Sequence, residues 1–478
     1  MIGRWLGSRV LWTWGICLSV VTLVAAGVTV LGGPVASAEP AASAEPAACA
    51  LPEGDAAPQR VAPGSVNIDQ AALDEAIAFA ASRMRSNIQV YRNNCLIGTG
   101  ALNHVSGNVA SNLWSSTKSV LAMVAGVAYT EGLLDLEAPI GRYLPEGQGD
   151  AAHRAITVRQ LLTQTSGLKQ SILAEAYTAL VPDLNIVEQA LTLPFEHEPG
   201  TNFAYAQRPP DLLAYVVERA VGQDLQQFAQ QKLFSPLGID AEDYFWQRDR
   251  AGHTYGFAFL MIPPNDLARL GLLLLNNGEW NGNRIIAADY MDQLHQPSPR
   301  NACYGFLVWL NQAPCIGVTL PSEHVFEQPP FLPMPPDTYA TVGFLQQTNF
   351  VMPSLHMLVT WTGFFGDVSP DPATVFSASL NSELYREFLR KLARAVTDVE
   401  LPDPGPYVPT VNTTIDQPGM FDPNVLLGAV GVGPLAPPGC TPEQCGPTPL
   451  VPPFSNTPDA CRLGVCIPLP GVPQRHGQ

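Results

Sequence analysis

Strand-like runs occur near both ends of the globular part of the chain, on either side of a long helical middle. The early stretch 87–102, "NIQVYRNNCLIGTGAL", predicts two strands joined at Asn93-Asn94, a dipeptide typical of tight hairpin turns. Three later strand-like runs lie at 304–311, 343–353 and 354–363. A predicted helix at 380–396 follows them. This order predicts an α+β fold in which one antiparallel sheet, built from both termini and flanked by helices, carries an inserted helical lobe.

The composition divides the chain into four segments. Arg4 and Arg9 precede an uncharged apolar run and then small residues, which predicts a signal peptide over residues 1–38 and hence export; uncleaved, the run could anchor the chain in a membrane. Residues 39–65 are rich in Ala, Pro and Glu and predict a disordered linker. Residues 66–400 have the pattern of a globular domain. Residues 401–478 hold 18 of the 46 prolines and four cysteines, and predict an irregular, Pro-rich tail.

The net charge of the chain indicates which classes of partner it does not suit. The net charge is −17, and no stretch is strongly basic, so the sequence argues against nucleic acid and anionic membrane surfaces as partners. A cleft between sheet and lobe is the expected site for a small ligand. Oligomeric state cannot be read from these features.

Cysteine usage agrees with export. Apart from Cys17 in the leader, the chain has an even number of cysteines, which predicts disulfide bonds in an oxidising compartment. We expect Cys303 to pair with Cys315, and the last four cysteines, at 440, 445, 461 and 466, to form a knot among themselves. The paired C-x4-C spacings could instead hold zinc, but the compartment and the lack of nearby histidines favour disulfides.

A nearly uncharged helix carries the candidate chemistry. Residues 112–134, "NLWSSTKSVLAMVAGVAYTEGLL", predict a helix with Lys118 in its first turn, where the helix dipole disfavours a cation. Ser115 stands three residues earlier on the same face. A serine hydroxyl needs an adjacent base, and a desolvated lysine loses its proton readily enough to be one. The alternative is that Ser115 or Ser116 caps the helix and Lys118 is solvated.

Several segments in a fixed order resemble the serine hydrolase family that includes class C β-lactamases, penicillin-binding proteins, family VIII esterases and 6-aminohexanoate-dimer hydrolases. The resemblance spans roughly residues 85 to 395. Its segments are "LWSSTKSV" (113–120), "EGLLDLEAPIGRYLPE" (131–146), "ITVRQLLTQTSGL" (156–168), "FEHEPGTNFAYA" (195–206), "NDLARLGLLLLNNGEWNG" (265–282) and "YGFLVWLN" (304–311). Together they are far more specific than any single motif.

The resemblance implies roles for individual residues. Ser115 matches the acylated nucleophile, Lys118 its partner, and Tyr205 the tyrosine that shares the proton transfer. The backbone N–H groups of Ser115 and Phe344 match the oxyanion hole. Substrate-binding positions fall on three further residues: Gln207, Gly343 and Gln347. The family uses no metal and no organic cofactor, and none is expected here.

Two departures from the family pattern bear on substrate. Gln207 stands where the family has asparagine, and its side chain is one methylene longer, which would displace a hydrogen bond to Lys118 or to substrate. Thr341 stands where a cation usually anchors a substrate carboxylate. The sequence therefore favours a small-molecule or peptide-like acyl substrate cleaved at an ester or simple amide, over a D-Ala-D-Ala peptide or a β-lactam. A catalytically silent binding protein associated with the cell envelope is the alternative outside the enzymes.

Overall fold

A computed structural model describes residues 45–319, 322–363, 382–408 and 419–455, together with Leu380, Thr413–Ile415 and Thr457. The predicted signal peptide, and Cys461 and Cys466, lie outside the described residues. In the part of the chain that is described, no helix combines the length and apolar character needed to span a membrane.

The described elements comprise a mostly helical middle between strands that lie early and late in the domain, as the sequence predicted. The α-helices are α1 (Gln70–Ser82), α2 (Asn103–Ser106), α3 (Ser116–Thr130), α4 (Ala151–Ala155), α5 (Val158–Leu162), α6 (Ile172–Leu180), α7 (Ile186–Ala190), α8 (Arg208–Val221), α9 (Leu225–Ala229), α10 (Pro264–Leu275), α11 (Ala288–Leu294), α12 (Glu383–Ala395) and α13 (Pro423–Ala429). The strands are β1 (Arg85–Arg92), β2 (Cys95–Thr99), β3 (Ser111–Asn112), β4 (Phe245–Trp246), β5 (Leu260–Ile262), β6 (Glu279–Trp280), β7 (Asn283–Arg284), β8 (Trp309–Leu310), β9 (Cys315–Thr319), β10 (Ser322–Phe326), β11 (Tyr339–Val342), β12 (Thr348–Met352), β13 (Met357–Gly363), β14 (Thr413–Ile415), β15 (Gln444–Cys445) and β16 (Thr448–Pro449).

The main sheet is antiparallel and joins the two ends of the domain, which confirms the predicted α+β fold. Its strand order is β2-β1-β13-β12-β11-β8, so the early hairpin pairs directly with the last strand of the domain. Val90 lies opposite Val359 in the β1–β13 pair. The hairpin turns at Asn93 and Asn94, both with positive φ, as the dipeptide predicted.

Helix α3 is buried between other helices and the main sheet. Its residues from Ser116 to Ala128 are all buried, because its faces meet α8 and α11 as well as the sheet strand β11. A helix without charged side chains from Ser119 to Thr130 can be enclosed in this way at little desolvation cost. The first turn of α3 thereby lies between the lobe and the end of β11, where the cleft was expected.

The strand prediction over 343–353 is wrong at its start. Strand β11 ends at Val342, and a short 3₁₀ turn over Phe344–Gln346 separates it from β12. Leu345 and Gln346 both take positive φ, a conformation that non-glycine residues rarely adopt. Gly343 precedes the turn, but neither residue with positive φ is a glycine or an asparagine, so the pattern of residues did not indicate this turn.

The cysteine pairing agrees with the prediction in one case and extends it in another. Cys303 bonds to Cys315, which confirms that pair. Cys440 bonds to Cys445, a pair within the predicted group of four, whose other two members lie outside the described residues. A bond that the sequence did not suggest joins Cys49 to Cys95 at the start of β2.

Part of the Ala/Pro-rich segment packs on the domain, where the composition predicted a linker. Cys49 is 8% exposed, and its N–H donates to the Asn93 carbonyl in the hairpin turn. The Ala47 N–H donates to the Ser65 carbonyl. The Cys49–Cys95 bond holds this segment against β2, a constraint that low hydrophobicity alone does not reveal.

A described part of the Pro-rich tail also folds against the lobe. Helix α13 packs on α6 and α7, and Asp422 before it forms an ion pair with Lys169 at 2.6 Å. The Gln189 amide donates to the Ala429 carbonyl at the helix end. The tail therefore covers the side of the lobe that carries α6.

Candidate active site

The turn before α3 presents Ser115 to the cleft. Trp114 takes a positive φ of 48°, which is strained for a bulky side chain, and such strain is typical of functional turns. Ser115 is the residue that caps α3, yet its hydroxyl makes no capping hydrogen bond. The hydroxyl is therefore available for another partner.

That partner is Lys118, which lies inside the protein. Its side chain is 1% exposed, and its Nζ lies 3.1 Å from Ser115 Oγ. Two carbonyl oxygens also accept hydrogen bonds from Nζ: Gln207 Oε1 at 2.5 Å and the Phe257 carbonyl at 3.2 Å. The structure thus excludes the solvated lysine considered above, and Ser115, although it stands at the N-cap position, makes no capping hydrogen bond through its hydroxyl.

Burial governs the protonation of Lys118. Desolvation lowers its pKa from 10.5 to about 7, although the negative charges of Glu175 and Asp211 act in the opposite direction. A neutral amine has two N–H groups and one lone pair. The charged ammonium donates to Ser115 Oγ as well as to the two carbonyls, whereas in the neutral form the two carbonyls accept both N–H groups and the lone pair is left to face the Ser115 hydroxyl.

Tyr205 completes the cluster. Its ring centroid lies 4.7 Å from Lys118 Nζ. Burial raises the pKa of Tyr205 well above the usual value of 10, although the neighbouring Ser115 side chain acts to lower the pKa of the Tyr205 phenol, so the phenol keeps its proton at neutral pH. The Tyr205 N–H donates to the carboxylate of Glu323 on β10 at 2.5 Å, which fixes the backbone of this segment.

The end of β11 lies directly against the nucleophile turn. A side-chain carbon added at Gly343 would lie 2.0 Å from the Leu113 carbonyl oxygen and 3.2 Å from the Ser116 nitrogen. Ser116 Oγ also donates to Thr341 Oγ1 at 2.7 Å. Among the hydrogen bonds of the described residues, the N–H groups of Ser115 and Phe344 donate to no protein acceptor. Both are free to bind an oxyanion.

We expect Gly343→Ala to lower kcat about 10²- to 10³-fold, the usual cost of losing one oxyanion donor. The added methyl group collides with backbone atoms, so the end of β11 must move and carry the Phe344 N–H away from Ser115. Steady-state kinetics on a p-nitrophenyl ester measure this. Gly64→Ala is the matched control, because a side-chain carbon there meets nothing within 4 Å. A wild-type kcat in folded Gly343→Ala would contradict the placement of Phe344.

Two carboxylates that the sequence reading missed hold the carbonyls that bind Lys118. Asp211 Oδ1 accepts the N–H groups of Gly256 and Phe257, which fixes the Phe257 peptide. Glu175 Oε2 accepts a hydrogen bond from Gln207 Nε2 at 3.1 Å. A sequence signal for Glu175 existed: it is the one charged residue of α6, as Lys118 is in its own helix.

The role predicted for Gln347 needs correction. Its amide forms two hydrogen bonds with the backbone of Gly363, at 2.7 and 3.0 Å, and its side chain is 2% exposed. Gln347 therefore ties the turn after β11 to the end of β13 and presents no polar group to substrate. Gln207, in contrast, keeps its hydrogen bond to Lys118 in spite of the longer side chain.

Aromatic side chains surround the nucleophile. The Trp114 ring lies 5.8 Å from Phe259 and 5.5 Å from Phe344, and both Trp114 and Phe344 are half-buried. The Tyr205 ring stacks on Trp309 at 5.4 Å. The walls next to Ser115 are thus apolar. Within the described ranges, no group of three or more His, Cys, Asp or Glu side chains is placed to hold a metal ion.

The α+β fold and the buried serine–lysine–tyrosine cluster define a serine hydrolase of the β-lactamase and transpeptidase class. The Beta-lactamase family model matches residues 87–400, about two thirds of the sequence. The chain belongs to the Beta-lactamase family.

Individual relatives are more distant. An uncharacterized protein of Mycobacterium tuberculosis is 25% identical over 285 residues, which are 48% of this chain and 71% of that protein. The lovastatin esterase of Penicillium rubens is 28% identical over 190 residues, 35% of this chain and 46% of the esterase. A crystal structure of a candidate β-lactamase from Bacteroides dorei superposes with a TM-score of 0.51 at 19% identity, covering 68% of this chain and 99% of that one. This last likeness shows the fold alone.

Proposed function

We propose that this protein is an exported serine hydrolase that forms an acyl-enzyme on Ser115 and cleaves esters or simple amides with apolar acyl groups. One observation carries the proposal: a lysine that burial favours in its neutral form lies 3.1 Å from the Ser115 hydroxyl. A surface lysine would be protonated at neutral pH and could not accept the serine proton.

The proposed reaction follows from the contacts of Lys118. The Ser115 proton passes to the Lys118 lone pair as Oγ bonds to the substrate carbonyl carbon, and the carbonyl electrons move to its oxygen. The N–H groups of Ser115 and Phe344 bind that oxyanion. The bond to the leaving group then breaks, and the leaving group takes up the proton with the Tyr205 hydroxyl as relay. Water attacks the acyl-enzyme by the reverse proton path and frees Ser115.

The substrate class is inferred from the surroundings of Ser115. Apolar aromatic rings line the nucleophile, and Thr341, which replaces the family's cation, is 3% exposed and bonded to Ser116. This strand offers no charge to a substrate carboxylate, so a neutral substrate fits better than a penicillin or a D-Ala-D-Ala peptide. The likeness to a lovastatin esterase agrees with ester hydrolysis.

Export is part of the proposal. The disulfides Cys49–Cys95 and Cys303–Cys315 are typical of an oxidising compartment, and the leader has the composition of a signal peptide. An exported hydrolase with a net charge of −17 would meet small acyl substrates outside the cell or at the cell envelope and would not bind nucleic acid.

A substrate panel tests the proposed function. We expect kcat/KM for p-nitrophenyl butyrate to exceed that for 6-aminohexanoate dimer and for benzylpenicillin by at least about tenfold each, because an acyl chain fits the apolar walls and a carboxylate has no partner at Thr341. The same panel with Ser115→Ala corrects for background hydrolysis. Preference for the penicillin would favour a β-lactamase instead. No turnover and no label from a fluorophosphonate would favour a silent binding protein.

A further inference from the structure

The side-chain amide of Gln207 bridges two charged groups. Its oxygen accepts from Lys118 Nζ at 2.5 Å, and its nitrogen donates to Glu175 Oε2 at 3.1 Å. The amide could in principle rotate by half a turn and exchange these two atoms. Whether Gln207 Oε1 or Nε2 faces Lys118 therefore depends on the group on the other side of the amide. That group is the Glu175 side chain, whose Oε2 accepts a hydrogen bond from Nε2.

The orientation of this amide decides whether Lys118 can act as a base. With Oε1 towards the lysine, Lys118 donates to Gln207 and to the Phe257 carbonyl, and its lone pair faces Ser115. With Nε2 towards the lysine, the amide would donate to the neutral amine and occupy that lone pair. Burial raises the pKa of Glu175 to about 7, so its carboxylate is ionised above that pH. An ionised carboxylate accepts hydrogen bonds and cannot donate them, so this form of Glu175 permits only the first orientation.

The surroundings hold Glu175 in place. Helix α6 carries Glu175 and packs under α13 of the tail, and Lys169 before α6 is paired with Asp422 at 2.6 Å. Glu175 and Gln207 line a cavity of about 30 Å³ that the tail residues Val425 and Ala429 also line. This volume holds a water molecule or two and no substrate, so Glu175 does not contact substrate from this side.

We propose that Glu175 is a positioning residue, which fixes the amide of Gln207 so that Lys118 keeps its lone pair directed at Ser115. The inference rests on the proposed function, since it concerns the same base. It also accounts for the departure from the family's asparagine: the longer side chain of Gln207 reaches both Lys118 and Glu175.

The test is an isosteric substitution. Glu175→Gln keeps the size of the side chain, but its amide can either accept from Gln207 or donate to it, so the orientation is no longer fixed. We expect kcat on p-nitrophenyl butyrate to fall at least about fivefold with KM within about twofold, and Glu175→Ala to lose as much or more. Glu146→Gln, at an exposed glutamate, is the matched control and should leave both constants unchanged.

The same substitution in a Gln207→Ala variant distinguishes a positioning role of Glu175 from a packing role. In a Gln207→Ala background the amide is absent, so adding Glu175→Gln should change kcat less than about twofold, whereas a packing role would give the full loss in both backgrounds.

The pH profile gives an independent readout. The charged and titratable groups that act on Glu175 are Lys118, Arg208 and Asp211. Glu175 in turn raises the pKa values of Lys118 and Tyr205, and its own pKa is raised by burial to about 7. Glu175→Gln removes both a group that titrates near pH 7 and the charge that raises the pKa of Lys118, so the acid limb of kcat/KM should move to lower pH.

The outcomes distinguish this inference from the proposed function. The role of Glu175 would be overturned if Glu175→Gln had the kcat of the unmodified protein and an unmoved acid limb of kcat/KM. If Ser115 still took a fluorophosphonate label in that variant, the hydrolase mechanism would remain. Absence of the label in the unmodified protein would overturn the mechanism itself. Thermal unfolding of each variant shows whether a loss of rate comes from loss of structure.

Discussion

Replacing Ser115 by alanine should lower kcat for a p-nitrophenyl ester by at least about 10⁴-fold, to a residual rate that the oxyanion donors alone support. The change removes the proposed nucleophile and little else. Ser115 makes no capping hydrogen bond, so helix α3 keeps its N-terminus and the melting temperature should stay within a few degrees of that of the unmodified protein. Steady-state kinetics and thermal unfolding measure the two effects.

Ser82→Ala is the control for this experiment. Ser82 is exposed at the end of α1, and its hydroxyl donates to the Phe79 carbonyl of the preceding turn. We expect its rate to equal that of the unmodified protein. Substantial ester hydrolysis by Ser115→Ala, above the rate of buffer alone and free of contaminating activity, would show that another residue performs the attack.

Substituting Lys118 should have an effect nearly as large. Lys118→Arg places a guanidinium, which does not give up its proton, in the position of the base, and kcat should fall at least about 10³-fold. Because a buried guanidinium could disturb the fold, Lys118→Met is the second variant. It removes the base and buries no charge, but it leaves the Gln207 and Phe257 carbonyls without their donor, so we expect the free energy of unfolding to fall by about 1–3 kcal/mol while the protein stays folded. Full turnover by either variant would exclude Lys118 as the base.

The same base determines the pH dependence of the reaction. Burial lowers the pKa of Lys118 to about 7, and only the neutral amine accepts the serine proton. As pH falls below this value the amine becomes protonated, so kcat/KM should decline tenfold per unit of pH below about 7 and level off above it. A profile that rises only near pH 10 would indicate an ordinary solvated lysine.

The fold was predictable from the chain because its strongest patterns are local. The Asn93-Asn94 turn, the uncharged α3 and the late strand runs were enough to predict a sheet joined from both ends. The turn at Leu345 and Gln346 was not predictable, since it uses positive φ in residues that rarely adopt it. Neither was the packing of residues 46–65, which depends on a disulfide to a cysteine in β2.

The candidate site was predictable in part, for a physical reason. Ser115 and Lys118 lie one turn apart on a single helix, so their contact follows from spacing alone. Glu175 reaches the site through Gln207, from a helix that no local pattern connects to α3. Gln347 lies near the site in sequence, but its amide bonds to Gly363 on a neighbouring strand, and only the tertiary structure shows this.

The position of the acyl group on the chain tests the proposed Ser115 mechanism most directly. The unmodified protein and Ser115→Ala would each be mixed with a fluorophosphonate and with a slow p-nitrophenyl ester, and their intact masses and peptide maps measured. The proposed mechanism predicts one adduct per chain, on the peptide that contains Ser115, and no adduct in the alanine variant. An adduct on another residue, or one that persists in Ser115→Ala, would contradict it.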